Sequence, residues 1–133
     1  MQAHRIFIGM GSNVPEAFDL LRTAVLRLSE MAEGDVVVST PERTEPIDFP
    51  WPAMFVNQVA SLLTTMEPDE LKTRLKRIER RAGRTKRETQ RGIIRLDLDL
   101  LSVDDDILRP DDWQRPYIRR GIAEISYKEW TSI

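Results

Sequence analysis

The stretch Ile93-Ile94-Arg95-Leu96-Asp97-Leu98-Asp99-Leu100-Leu101 constrains the fold more than any other part of the chain. Leu96, Leu98 and Leu100 alternate with Asp97, Asp99 and Leu101, the period-two pattern of a strand with two unlike faces. Residues two apart share a face, so both carboxylates project the same way, roughly 6.5 Å apart along the strand. Like charges at that spacing repel unless water, a cation or a basic residue lies between them. Two readings stay open from these residues alone: a strand with one solvated face, or a strand carrying a cation-linked site.

The rest of the chain supplies partners for such a strand. Arg5–Gly11, "RIFIGMG", reads as an opening strand with Ile6 and Ile8 buried, which Gly9, Gly11, Ser12 and Asn13 then break. Asn13 suits the N-cap of the helix that follows. In that helix Ala17, Leu20, Leu21, Ala24, Val25, Leu28 and Met31 recur at helical spacing, with Pro15 in the first turn and Gly34 at the stop. Residues 35–40, "DVVVST", form a β-branched strand, and 41–54, with four prolines, form a loop. Residues 55–65 read as a second long strand. Residues 67–83 are the clearest helix. Pro68 opens it, Asp69 and Glu70 suit its positive end, Leu71, Leu75, Ile78 and Ala82 form its buried stripe, and Gly83 ends it. Residues 84–92, "RTKRETQRG", read as a mobile charged loop before the strand at 93–103, and the chain closes with a turn and a short helix or turn near Tyr117–Ile125. The order β-α-β-β-α-β implies an α+β, ferredoxin-like sandwich: a mainly antiparallel sheet with two main helices on one face.

Composition narrows the function. The 133 residues suggest a single domain over 1–133, and 41% hydrophobic content suffices for one core. No apolar run approaches the ~18 residues of a membrane span. The start "MQAHRIFIGMG" lacks the long apolar run and small-residue cleavage site of a signal peptide, so a cytoplasmic protein is expected. Without cysteine there is neither a disulfide nor a thiolate metal site, and a single histidine, His4, excludes a His–His metal cluster. Net charge is only −2, but residues 72–91 hold ten Lys/Arg against two Glu, a local +8. That concentration implies an anionic partner, phosphate or nucleic acid, or else a solvated helix face. Its position just upstream of the paired aspartates favours a metal-bound polyphosphate. Phe55 and Asn57, on one face of their strand behind a proline-stiffened loop, suit a flat heterocycle that stacks and hydrogen-bonds at its edge.

In order along the chain, "GSN" after the first strand, "RTEP" in the loop, "F-V-N" opening the next strand, "IERRAGR" closing a helix and "RLDLDLL" on the following strand resemble the 6-hydroxymethyl-7,8-dihydropterin pyrophosphokinases of folate biosynthesis. The resemblance covers nearly the whole chain and implies the same ferredoxin-like fold. It implies transfer of pyrophosphate from the co-substrate ATP to a pterin alcohol, with AMP leaving. By it, Asp97 and Asp99 hold two Mg²⁺ ions against the ATP phosphates, and Arg84, Asp97 and Asp99 carry the catalysis. Thr44, Phe55, Asn57 and Tyr117 line the pterin pocket. Arg84, Lys86, Arg87, Arg95 and Arg115 handle the nucleotide. The implied protein is a monomer acting on small molecules, without nucleic acid or membrane.

The chain also departs from that pattern. Pro110 is followed by Asp111 where the family usually has histidine, Ile94 takes the usual arginine position with Arg95 one residue closer, and "TQRG" carries no aromatic residue. Two alternatives therefore stand beside the enzyme: a family member that binds pterin or nucleotide without efficient catalysis, and an RNA-binding module on the same frame, stacking bases on Phe7 and Phe55.

Overall fold

The computed structural model describes residues 2–51 and 53–131; Met1, Pro52 (the last of the loop prolines), Ser132 and Ile133 lie outside the described residues. Strands β1 (His4–Ser12), β2 (Val37–Val38), β3 (Glu42–Thr44), β4 (Phe55–Thr64), β5 (Asp97–Val103) and β6 (Asp106–Ile107) alternate with helices α1 (Ala17–Ser29), α2 (Pro68–Arg81), α3 (Lys86–Gln90), α4 (Pro110–Trp113) and α5 (Pro116–Thr131). They form one sheet in the order β2-β4-β1-β5-β6, with β3 also paired to β4 and every pairing antiparallel. Within this order β1-α1-β2-β4-α2-β5, with β1 and β4 adjacent at the centre, follows the α+β arrangement expected from the sequence. No described helix is long and apolar enough to cross a membrane.

The two faces of the sheet are covered differently. On one, alternate residues Ile6, Ile8 and Met10 of β1, Val56, Ala60 and Leu62 of β4, and Leu98 and Leu100 of β5 meet Leu21 and Leu28 of α1 and Leu71 and Leu75 of α2. Each Ile, Leu, Val or Met among them contributes on the order of 1.5–3 kcal/mol when fully buried. Helix α2 presents Leu71, Leu75 and Ile78 at spacings of four and three, with acidic residues in its first turn and Arg80 and Arg81 in its last, both favourable to its dipole. On the opposite face Val59 and Leu101 pack with Ile118 and Ile125 of α5, and Phe7 joins them edge-on to Trp113 at 5.9 Å.

Several local expectations are corrected. The main one is α5: the expected short helix or turn is a 16-residue helix, so the two main helices on one face are joined by a third on the other. Gly121 makes this possible, since a Cβ there would lie 2.5 Å from Val59 Cγ2. Gly9, Gly11 and Ser12 do not end β1 but continue it. Asn13 is not the cap of α1, whose N-cap Glu16 makes no side-chain cap bond. Instead Asn13 pairs with residues 92–94 like a short strand: its N–H donates to Ile94 O at 3.0 Å, its Nδ2 to Gly92 O at 2.8 Å, and its Oδ1 accepts from Ile94 N at 2.8 Å. Those bonds hold residues 93–96 outside β5, which starts only at Asp97. The 35–40 strand shrinks to β2, and the 41–54 loop contains β3. The 84–92 segment is not a plain loop but contains α3, where Thr85 Oγ1 caps by accepting from Glu88 N at 3.1 Å.

Candidate active site

Cross-strand register places the site. Gly11 of β1 stands between Asn57 of β4 and Asp97 of β5, and Gly9 stands between Val59 and Asp99. A central strand with hydrogen at both positions leaves open space between the amide and the carboxylates. A Cβ on Gly11 would come within 3.0 Å of Asn57 Oδ1. These glycines are the floor of the site.

The two aspartates are held unequally. Arg84 donates through one terminal nitrogen to Asp97 Oδ1 at 2.9 Å, Leu96 O at 3.2 Å and Glu79 Oε2 at 3.3 Å. Glu79 Oε2 also accepts from Leu98 N at 2.7 Å, which ties the end of α2 to β5. Burial pushes the Glu79 carboxyl above its usual range despite that backbone bond and the adjacent Arg84. Asp99 lies deeper. Burial, then the neighbouring Asp97 charge and a hydrogen bond shared with Asp97, lift its carboxyl to about 8. Arg109 stands 3.8 Å away, too far for a hydrogen bond. The pair is thus a site where an added cation is favourable, because one carboxyl keeps a proton that a cation would replace.

Two cavities meet at this pair. One, of about 470 Å³, is lined by Lys72, Lys76, Arg84 and Arg109 together with Asp97 and Asp99. The other, of about 200 Å³, brings Thr44, Phe49, Phe55, Asn57, Arg115 and Tyr117 against the same two aspartates. Asn57 Nδ2 donates to Thr44 Oγ1, which fixes the amide. Phe55 meets Phe49 edge-on at 5.3 Å. Burial raises the Tyr117 hydroxyl above its ordinary value. One cavity is cationic and the other aromatic and amide-lined, and a paired acid lies between them. That arrangement can hold a polyanion and a flat polar ring side by side.

Residues 7–127 match the 7,8-dihydro-6-hydroxymethylpterin-pyrophosphokinase family. The chain belongs to that family. It is 26% identical over 133 residues to the 2-amino-4-hydroxy-6-hydroxymethyldihydropteridine pyrophosphokinase of Porphyromonas gingivalis, covering 91% of this chain and 90% of that protein. It is 30% identical over 128 residues to the pyrophosphokinase of the same name from Bacillus subtilis, covering 90% and 76%. It is also 30% identical over 122 residues to a folate synthesis bifunctional protein of Chlamydia caviae, of which it covers 27%.

For this pyrophosphokinase-family chain, the structure brings Thr44, Phe55, Asn57, Arg84, Asp97, Asp99, Arg115 and Tyr117 to the two cavities. It does not bring Lys86, Arg87 or Arg95 there, since none lines either cavity. Arg95 is instead spent on Glu88, at 2.8 and 2.9 Å, a pair that ties α3 to the segment before β5. Asp111, at the position where the resemblance expects a histidine, is exposed in the first turn of α4. The acid that enters the site is its neighbour Asp112. Burial pushes Asp112 up, but the bonds from Arg115 and Arg109 outweigh it and hold the carboxyl below its usual range. Sequence reasoning missed Glu79, Arg109, Asp112 and Phe49. Glu79 is one of two glutamates in the basic 72–91 run, and neither composition nor spacing marked it; the others had no signal either.

Proposed function

We propose that Asp97 and Asp99 hold Mg²⁺, two ions in all, between an ATP in the cationic cavity and a pterin in the aromatic one. The reaction is transfer of pyrophosphate from ATP to the hydroxymethyl group of 6-hydroxymethyl-7,8-dihydropterin, giving AMP: an ATP-dependent pyrophosphokinase of folate biosynthesis. The observation that carries this reading is that Asp97 and Asp99 line both cavities. The donor set fits the metal. Among the described residues no group of three or more His, Cys, Asp or Glu gathers to hold an ion, and Mg²⁺ takes one or two carboxylates, with phosphate oxygens and water completing its shell. Bound there, the metal would neutralise the charge that builds on the phosphates.

The chain's own residues do the rest. Asn57, fixed by Thr44, pairs with the edge of the pterin, and Phe55 and Tyr117 bound its faces. That placement sets the hydroxymethyl oxygen toward the aspartates for in-line attack on the β-phosphorus. Arg84, locked by Glu79, Leu96 and Asp97, keeps a fixed positive charge beside the reacting phosphates. Lys86 and Arg87 reach the nucleotide only if α3 moves toward the cavity. The unit is one domain over 1–133, a cytoplasmic monomer that takes small molecules and no nucleic acid.

The test is incubation of the protein with ATP, Mg²⁺ and 6-hydroxymethyl-7,8-dihydropterin, with products separated by mass. AMP and pterin diphosphate in equal amounts are expected. Saturable binding of both ligands without AMP would instead make the chain a non-catalytic binder.

A further inference from the structure

We propose that Arg109 binds the ATP phosphates and that Asp112 is the residue that positions it. The proposal rests on the pyrophosphokinase reading and adds a cation to its nucleotide site.

Two arginines flank the paired aspartates, and they are tied in opposite ways. The Arg84 guanidinium is only 26% exposed and spends one terminal nitrogen on three acceptors. It is a fixture of the fold. Arg109 is 49% exposed and is gripped through Nε alone, which donates to Asp112 Oδ2 at 2.6 Å. Among the described residues its terminal nitrogens make no hydrogen bond, and the nearer one stops 3.8 Å from Asp99 Oδ1. A guanidinium held by Nε keeps the planar fork of its two terminal nitrogens for an oxyanion, the bidentate geometry that suits phosphate. Its place is also distinctive. Arg109, Asp97 and Asp99 line both cavities, so Arg109 borders the point where the transferred group must pass from one substrate to the other.

Asp112 has the features of a positioning residue. Its second oxygen accepts from Arg115 Nε at 2.9 Å, so one carboxylate sets the heading of two arginines, one at each cavity. The carboxylate is itself mounted firmly. It sits in α4, where Trp113 N donates to Arg109 O at 2.9 Å and the Trp113 ring packs edge-on to Phe7 of β1. Two arginines against one aspartate leave a net positive charge. The turn after β6 therefore delivers a cation to the site despite its acidic sequence, Pro110-Asp111-Asp112.

The experiment is calorimetric titration of Mg²⁺ with α,β-methylene-ATP, and separately of the pterin, into the parent and into Arg109→Ala, Arg109→Lys, Asp112→Asn and Asp111→Asn. Steady-state KM values for both substrates accompany it. Arg109→Ala is expected to lose on the order of ten- to a hundredfold in nucleotide affinity, the range of a hydrogen-bonded charge pair, with a parallel rise in KM for ATP. Pterin affinity and KM stay within about twofold. Arg109→Lys recovers part of the loss. Asp112→Asn weakens the nucleotide less than Arg109→Ala and adds little to it in the double variant, because its effect runs through Arg109. The exposed neighbour Asp111→Asn leaves all values unchanged. The proposal is overturned if Arg109→Ala binds the nucleotide within threefold of the parent, or if it loses both ligands equally. A parent that does not bind the analogue overturns the pyrophosphokinase reading itself, so the two failures are distinct.

Discussion

The two faces of this sheet are built from the same three strands, and alternate residues go to opposite uses. Toward α1 and α2 the strands offer Ile6, Ile8, Met10, Val56, Ala60, Leu62, Leu98 and Leu100, all buried in one core. Toward α5 they offer Gly9, Gly11, Asn57, Val59, Asp97, Asp99 and Leu101. Helix α5 covers only part of that second face, through Ile118 and Ile125, and the remainder is the site. The first face therefore carries the stability that the second gives up. Asp99 shows the cost directly, since its carboxyl is lifted to about 8 by burial and by Asp97.

Exchanging charge on one face against bulk on the other should break the symmetry sharply. Asp97→Asn and Asp99→Asn are each expected to lower AMP formation by at least about a hundredfold. Asp99→Asn should nonetheless melt higher than the parent at pH 8.5 without divalent cation. The sign follows from the raised pKa. The folded protein keeps a proton that the unfolded chain releases, so the stability from Asp99 is complete below the ordinary carboxylate range and drains away as pH rises toward 8. The amide has no such slope, and a gain of about 3 °C or more is expected. A lower melting point in Asp99→Asn would make the carboxylate a structural group. On the opposite face Leu62→Ala, in the α1–α2 core and lining neither cavity, should cost about 2–5 kcal/mol in denaturant unfolding, with kcat/KM per folded molecule nearly unchanged. A large loss of kcat/KM there would mean that the two faces are not separable.

The first face was legible in the sequence and the second only in part. Apolar residues at period two in Ile6–Met10 and Leu96–Leu100, and at helical spacing in α1 and α2, report directly on burial, because a closed face needs nothing else. Asp97 and Asp99 were legible as a pair from the same alternation. Helix α5 was not, because it covers half a face and its stripe of Ile118, Gly121 and Ile125 runs among Arg119, Arg120 and Glu124. Gly9 and Gly11 carried a turn signal that the sheet overrode, since a central strand paired on both sides keeps its glycines extended. Thr44 and Tyr117 came only with the family resemblance, whereas Phe55 and Asn57 were legible as neighbours on one strand face. Arg109, Asp112 and Glu79 act through partners that the fold brings together, and no local pattern encodes those meetings.

Within the second face the pterin side should prove separable from the phosphate side. Asn57→Ala is expected to weaken pterin binding by about 1–3 kcal/mol, the cost of leaving a ring edge unpaired, with little change for α,β-methylene-ATP. Fluorescence titration of the pterin and calorimetry of the nucleotide give the two numbers. Equal losses would show that Asn57 and its Thr44 partner support the sheet rather than the ligand.

The smallest effect lies at the far end of the sheet, away from both cavities, and shows what an ordinary ion pair on this frame does. His4 Nδ1 sits 2.8 Å from Asp104 Oδ2, and Asp104 Oδ1 accepts from Arg5 N at 2.9 Å. The bond to Asp104 raises the His4 imidazole above its usual value, against a small desolvation, with Glu67 assisting. The bonds from His4 and Arg5 hold Asp104 below the usual carboxylate range. The histidine contribution is complete below its ordinary value and is lost as pH rises through its raised one. The aspartate contribution is present above its ordinary value and is lost as pH falls through its lowered one. The pair therefore stabilises only in a window from about pH 4 to somewhat above pH 6.5. Asp104→Asn suits this test, because asparagine tolerates the positive φ of 53° at residue 104 and can keep the bond from Arg5. The melting curves of parent and variant should differ most near pH 5.5 and converge by pH 9. A difference that stays constant across that range would mean that the pair acts by shape and not by charge.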